Sequence, residues 1–440
     1  MGEQVAIIGG GLAGCEAAWQ LASRGIETIL FEMRPRRTTA AHRTGRLAEL
    51  VCSNSLKSDS LERAPGLLKE EMRLLGSLIV RCADASAVPA GQALAVDRDA
   101  FAAHVEAALA ATGLVTVVRE EVRTVREDGI TIVATGPLTS DNLAADLRRV
   151  VGEDFLHFYD AVSPIVAADS VDRSIAFAAA RYDKGVGKYL NCPMAREEYV
   201  QFVDSLLAAE VAGTREIAPS EFFEGCLPIE EMARRHPDAL RFGPLKPVGL
   251  TDPRTGRRPY ACVQLRTENH AGTMYNLVGC QTGLEWVEQE RLVRMVPGLA
   301  DAEILRYGVM HRNLFLNGPK CLDAHSRLRG CERLFLAGQM TGVEGYVESA
   351  LSGVYVGLNA TRLAQGEPVV VLPPETLAGA LMQHVSSSPS ADFQPMNANF
   401  GLLPPVENVP KKLRRQRMVE RALAVMAAFR ADHAGLLGDG

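Results

Sequence analysis

No two cysteines of this chain are spaced as C-x-x-C. The nine cysteines, Cys15, Cys52, Cys82, Cys192, Cys226, Cys262, Cys280, Cys321 and Cys331, are odd in number and scattered along the chain. That pattern removes the usual zinc and redox-dithiol spacings, so no metal site is expected. It fits reduced thiols in a cytoplasmic setting better than a secreted disulfide framework. No apolar stretch reaches about 18 residues, so no membrane-spanning helix is expected. The opening MGEQVAIIGGGLAG has no basic leader and enters a strand-like run at once, so no signal peptide is expected. A basic excess is missing too. The net charge of −6 argues against a nucleic-acid partner held by overall charge, though not against a local basic patch. Internal repeats and low-complexity tracts are also absent. What remains is 440 residues of ordinary globular composition, 47% hydrophobic and 23% charged. Such a chain can form two or three domains with a sizeable core.

The first forty residues carry the most specific local signal. Gln4 to Ile8 reads as a short buried strand rich in Val and Ile. It runs into Gly9-Gly10-Gly11-Leu12-Ala13-Gly14, then a helix over Cys15 to Ser23 ended by Gly25, then a second strand, IETILFE, closing at Glu32. This is a dinucleotide-binding pattern in its required context. Gly9 permits the tight turn, Gly11 lets backbone approach a pyrophosphate, and Gly14 lets helix and strand pack closely. The helix N-terminus offers unpaired N–H groups and partial positive charge to phosphates. Glu32 is placed for a ribose hydroxyl pair, which favours FAD or NAD over NADP.

Two later segments bear on which dinucleotide binds. GITIVATGP, Gly129 to Pro137, reads as a strand ending at Ala134-Thr135-Gly136. In RLFLAGQMTGVEGYVESALSGVYVGLNA, Gly338 ends a strand and a long helix begins near Gly345, with Ala350, Gly353 and Gly357 allowing close packing. Its N-terminus can face an anion or a flavin carbonyl. A second G-x-G-x-x-G is missing, so a separate nicotinamide domain is not expected. The fold class expected is α/β: a glutathione-reductase-type FAD-binding Rossmann domain with an α+β insertion domain. Its first part is placed at 1–155, the insertion at 156–305, and its second part, ending in a basic helix, at 306–440.

These glycine segments resemble the FAD-binding domain of glutathione-reductase-type flavoproteins. LFEMRP, VCSNSLKS, ALAVDRDAF, YLNCPM, FGPLKPVGL, YGVMHRN and ANFGLLPPV together resemble a narrower group. That group is the folate- and FAD-dependent tRNA (uracil-5-)-methyltransferase family of GidA-related flavoproteins, and the resemblance runs to about Pro405. It implies methylation of C5 of uridine 54 in the T loop of tRNA. Methylenetetrahydrofolate would give the carbon, and FAD the reducing equivalents of NAD(P)H. The implied partners are the tRNA T arm and the small folate and nicotinamide substrates, with no membrane and no stable protein partner expected.

That chemistry needs an activated thiol, because uracil C5 is a poor nucleophile until a thiolate adds at C6. A base must then take the C5 proton, and a two-electron donor must reduce the exocyclic methylene. The resemblance assigns Cys226 as the nucleophile and makes Cys52 a second catalytic thiol, the candidate base. The Gly before Cys226 and the Pro two after it predict a loop leading into a helix over IEEMARR. A helix start lowers a thiol pKa. The other seven cysteines read as structural. The resemblance also sets His311 over the folate pterin, with Arg312 and Asn313 as weaker members of the same cluster. KKLRRQR, Lys411 to Arg417, and PRTGRR, Pro253 to Arg258, are basic patches suited to phosphate contacts or to a solvated face. Three rival readings are GidA-type wobble-uridine modification, a flavin-dependent oxidoreductase of the disulfide-reductase class, and a non-enzymatic flavin-bound tRNA-binding protein. The missing C-x-x-C weighs against the second, and the two thiols in their strings weigh against the third.

Overall fold

A computed structural model describes residues 3–39, 41–126, 128–152, 156–183, 189–212, 227–389, 393–410 and 412–437. Five parallel strands form the central sheet, in the order Leu334–Leu336, Thr131–Val133, Val5–Ile8, Thr28–Phe31, Val115–Val118. The three inner strands read as continuous apolar runs because a parallel sheet is covered on both faces. Val5, Ile7, Leu30, Ile132 and Val133 are fully buried.

The helix Leu12–Ala22 covers one face and packs against the long helix Tyr346–Ala364. Glycine makes this contact possible. A Cβ on Gly353 would lie 2.3 Å from the Ala13 carbonyl oxygen, and one on Gly357 3.0 Å from Ala17 Cα. Helices Ala64–Leu74, Leu377–Ser387 and Arg414–Asp432 join the same core. Arg414–Asp432 buries Val419, Ala422, Met426 and Phe429 and turns its basic start outward.

A second sheet, largely antiparallel, occupies residues 165–306. Its order is Phe177–Ala179, Tyr189–Met194, Ala261–Thr267, Met274–Leu277, Ile165–Ala167, Ile304–Arg306. With helices Arg196–Leu207, Ile229–Arg235 and Trp286–Arg294 it builds its own apolar core. The chain enters and leaves this unit through one antiparallel ribbon, in which Leu156–Ala161 pairs with Met310–Phe315. A small sheet of Ser55–Ser58, Ala93–Val96 and Ala87–Val88 holds the segment just after Cys52. No helix among the described residues is long and apolar enough to cross a membrane.

Candidate active site

The glycine turn lines a long cleft at the C-terminal ends of the parallel strands. Gly9, Gly10, Gly11, Leu12, Ala13, Glu32, Thr135, Gly136 and Gly338 all border it. Gly9 has φ +109°, and a Cβ there would lie 2.5 Å from the Ala134 carbonyl oxygen, so only glycine fits. At Gly14 the added carbon would come within 1.8 Å of the Gly9 oxygen, which is the close helix–strand approach expected from the sequence. Around Gly11 a Cβ would meet nothing within 4 Å. The turn therefore leaves open space in front of an uncapped helix start, where a pyrophosphate fits.

Glu32 also borders the cleft, but its carboxylate is engaged on all sides. Oε2 accepts from Gly10 N at 3.0 Å and from Arg34 Nη2 at 2.9 Å, while Oε1 accepts from Arg34 N and Nε, each at 2.9 Å. Although burial acts the other way, Arg34 and these N–H groups hold its carboxyl below the usual range. A ribose diol would share these oxygens with Arg34.

Past Tyr346 the cleft opens into a second cavity of about 380 Å³, within the size range of small-molecule sites. Val51, Pro137, Leu138, Gln339 and Tyr346 line both spaces. Cys52 sits in the wall of the second, half-buried, on a loop gripped from several sides. Its N–H donates to the Tyr346 hydroxyl at 2.6 Å. Arg98 donates to the Leu50 carbonyl and, at 2.9 Å, to the Cys52 carbonyl. Arg306 donates to the Val51 carbonyl. Arg98 in turn pairs with Glu268, 2.9 Å away on the inserted unit. Burial, with the Arg98 and Arg43 charges, draws the Arg306 guanidinium down to about 10. Burial also keeps the Tyr346 phenol protonated, well above its ordinary range. Gly345, at φ +118°, starts the helix that carries Tyr346 and lines the second cavity.

Among the described cysteines, only Cys52 and Cys331 are not fully buried. Burial raises the Cys82 thiol to about 11 and the Cys262 and Cys280 thiols to about 12, and pushes Cys15 and Cys192 higher still. These are inert, apolar positions, in line with a packing role.

Cys226 and the side chain of His311 lie outside the described residues. Just downstream of Cys226, the helix Ile229–Arg235 starts where the sequence predicts it, behind Pro228. Ile229 N donates to the Gln281 carbonyl at 2.8 Å, and the buried Glu230 carboxylate accepts from Thr282 Oγ1 at 2.9 Å and Gly283 N at 2.8 Å. Gln281 lines the Cys52 cavity. His311 stands on Met310–Phe315, opposite Asp160, and Asn313 on the same strand borders the cavity. Sequence reasoning passed over Arg98, Arg306 and Tyr346 as site residues. Arg98 and Tyr346 stand inside family-like strings, but nothing local marks them as partners of the Cys52 loop.

Of the basic segments, Arg414, Arg415 and Arg417 are exposed on the first turn of their helix, with Arg417 paired to Glu420 at 2.7 Å. In the other, Arg254 is paired with Asp252 at 2.9 Å, and Arg257 and Arg258 are exposed.

Comparison with known proteins agrees with this arrangement. The family described as glucose inhibited division protein A matches residues 4–368. A protein of Geobacter sulfurreducens, named methylenetetrahydrofolate--tRNA-(uracil-5-)-methyltransferase TrmFO, is 58% identical over 96% of this chain and 97% of its own. A protein of the same name from Symbiobacterium thermophilum is 56% identical over 98% of each chain. The solved structure of Aquifex aeolicus GidA superposes with a TM-score of 0.72 at 17% identity, covering 100% of this chain and 77% of that one, a likeness of fold. With relatives this similar over nearly its whole length, the chain belongs to the TrmFO family within the wider GidA group.

Proposed function

We infer that this protein methylates C5 of a tRNA uridine, position 54 of the T loop, with the carbon of methylenetetrahydrofolate. One observation carries the reading in the molecule itself: the dinucleotide cleft opens, past Tyr346, directly into a cavity that holds the half-exposed thiol of Cys52. The relatives' names supply the substrate and the carbon donor. The open turn at Gly11, the uncapped helix start and the long cleft fit FAD. Bound FAD, reduced by NAD(P)H, supplies the electron pair that turns a methylene into a methyl.

The protein's own groups do the rest. The Cys226 thiolate adds to C6, and the ring electrons move toward O4 as an enolate. C5 then attacks the folate-borne carbon, forming the new C–C bond. Cys52 takes the C5 proton, and the Cys226 thiolate leaves as the exocyclic methylene forms. His311 stacks on the pterin. Support for Cys226 comes from Ile229, three residues on, whose N–H is tied to the loop lining the Cys52 cavity. Exposed Arg257, Arg258, Arg414 and Arg415 suit phosphate contacts.

The test uses labelled methylenetetrahydrofolate and labelled S-adenosylmethionine with unmodified tRNA. Label should reach the uridine from the folate alone, and transfer from S-adenosylmethionine overturns the reading. Cys226→Ala should abolish transfer with FAD still bound. Cys52→Ala should accumulate protein–RNA adduct on denaturing gels, and the double variant should not. An adduct that persists without Cys226 removes it as the nucleophile.

A further inference from the structure

We infer that Asn276, Gln281 and Asn313 read the imide edge of the target uracil, an inference that rests on the function proposed above. Three buried side-chain atoms lining the Cys52 cavity have no hydrogen-bond partner: Asn276 Nδ2, Gln281 Oε1 and Asn313 Nδ2. Asn276 is 2% exposed and Asn313 3%. A buried polar atom left unpaired is costly, and native structures keep few of them without a purpose. Three in one cavity describe a ligand's edge.

Chemistry identifies that edge. Asn276 Oδ1 accepts from Arg266 Nη2 at 3.4 Å, and a guanidinium can only donate, so Nδ2 is the free end of that amide. Arg266 is itself held by Asn54 Oδ1 at 2.9 Å, with Glu268 3.8 Å away. The cavity thus offers two N–H donors and one acceptor. Uracil presents O4, N3–H and O2, that is acceptor, donor, acceptor, which is the complement. Cytosine presents a bare N3 and a 4-amino group, which would face Gln281 Oε1 and an Asn donor with like polarity. The pterin edge offers one acceptor and two donors and leaves an Asn donor unmatched.

The placement suits the reaction. C6 lies across the ring from N3. The segment that would hold N3, Gln281, also receives the Ile229 N–H just downstream of Cys226. A donor on O4 gains strength as negative charge builds there upon addition at C6, so the same amide that recognises the base also stabilises the enolate.

The experiment uses holoenzyme and a T-arm RNA carrying uridine or N3-methyluridine at the target. Asn276→Asp, Asn313→Asp and Gln281→Ala should each lower kcat/KM for the RNA by about 10- to 1000-fold. FAD content, flavin reduction by NAD(P)H and the folate KM should stay as in the wild type. Wild-type enzyme should reject the N3-methyl RNA strongly, and Gln281→Ala should lose most of that discrimination, which a merely structural glutamine would not alter. Variants that change the folate KM while leaving the RNA KM and base discrimination intact overturn the inference and give the amides to the pterin. Wild-type kinetics in all three variants overturn it as well. Wild-type enzyme that moves no folate carbon to RNA defeats the proposed function itself, an outcome visible before any variant is made.

Discussion

Arg98→Met tests whether the Cys52 loop is positioned from the inserted unit. The guanidinium spans two bodies, with Nε on Glu268 and its two terminal nitrogens on the Leu50 and Cys52 carbonyls. Glu268 is 2% exposed. Removing one partner of a buried pair costs about 3–5 kcal/mol, because the other charge stays behind. Here Arg266 remains 3.8 Å from Glu268, which moderates the penalty toward the lower end, about 3 kcal/mol. Methionine keeps most of the aliphatic volume, so a cavity adds little. Urea unfolding of the flavin-loaded protein should register that loss. Methylation should fall by roughly 10- to 100-fold, as small displacements of reacting groups do. Arg98→Met with Glu268→Gln should recover about 1 kcal/mol or more over Arg98→Met alone, because the stranded charge is gone. A wild-type unfolding midpoint and methylation rate in Arg98→Met would refute the reasoning. So would a double variant no more stable than the single one.

Gly14→Ala should strip most of the flavin from the purified protein, since its methyl would need the space 1.8 Å from the Gly9 oxygen; unchanged visible absorbance would reject the close approach. Glu71 gives a pH prediction. Burial lifts its carboxyl to about 8, against the pull of the Leu377 and Ala378 N–H groups it accepts at 2.8 and 2.7 Å. The folded state therefore binds this proton more tightly than the unfolded chain, whose value is near 4.5. Its contribution is complete below about pH 4.5 and is lost as pH rises through about 8. Stability from this group should decline between about pH 5 and pH 8, by at most roughly 1.4 kcal/mol for each pH step of one. Glu71→Gln should flatten that slope in urea titrations at several pH values, and parallel slopes would reject the assignment.

Local features were readable in the sequence, because neighbours in the chain cause them. The strand, glycine turn and helix of the first thirty residues, and the helix start at Gly345, depend on backbone freedom and apolar spacing within a dozen positions. Gly353 and Gly357 signalled a close helix contact without naming the partner helix. The grip on Cys52 was not readable. Tyr346 lies 294 positions from Cys52, and Arg306 lies 255 from Val51. Such contacts follow from how the ribbon brings two distant segments together, and no spacing rule encodes that. The orphaned amides were hidden for a related reason. An asparagine within YNLVGC looks like any strand asparagine until its neighbours are seen to leave one end unpaired.

The order in which the sheet is completed has a consequence for synthesis. The edge strand Leu334–Leu336 and the helix Tyr346–Ala364 complete a layer begun by Val5–Ile8 and Leu12–Ala22, yet the ribosome makes them more than 300 residues later. At roughly 5–20 residues per second, the glycine turn waits on the order of half a minute for its roof. During that time the face of Leu12–Ala22 that Gly353 and Gly357 will cover stays bare. The inserted unit, with its own core, is complete in the chain before then. The nascent protein thus carries a finished middle between two unfinished ends, and the flavin has no complete cradle until the last third has emerged.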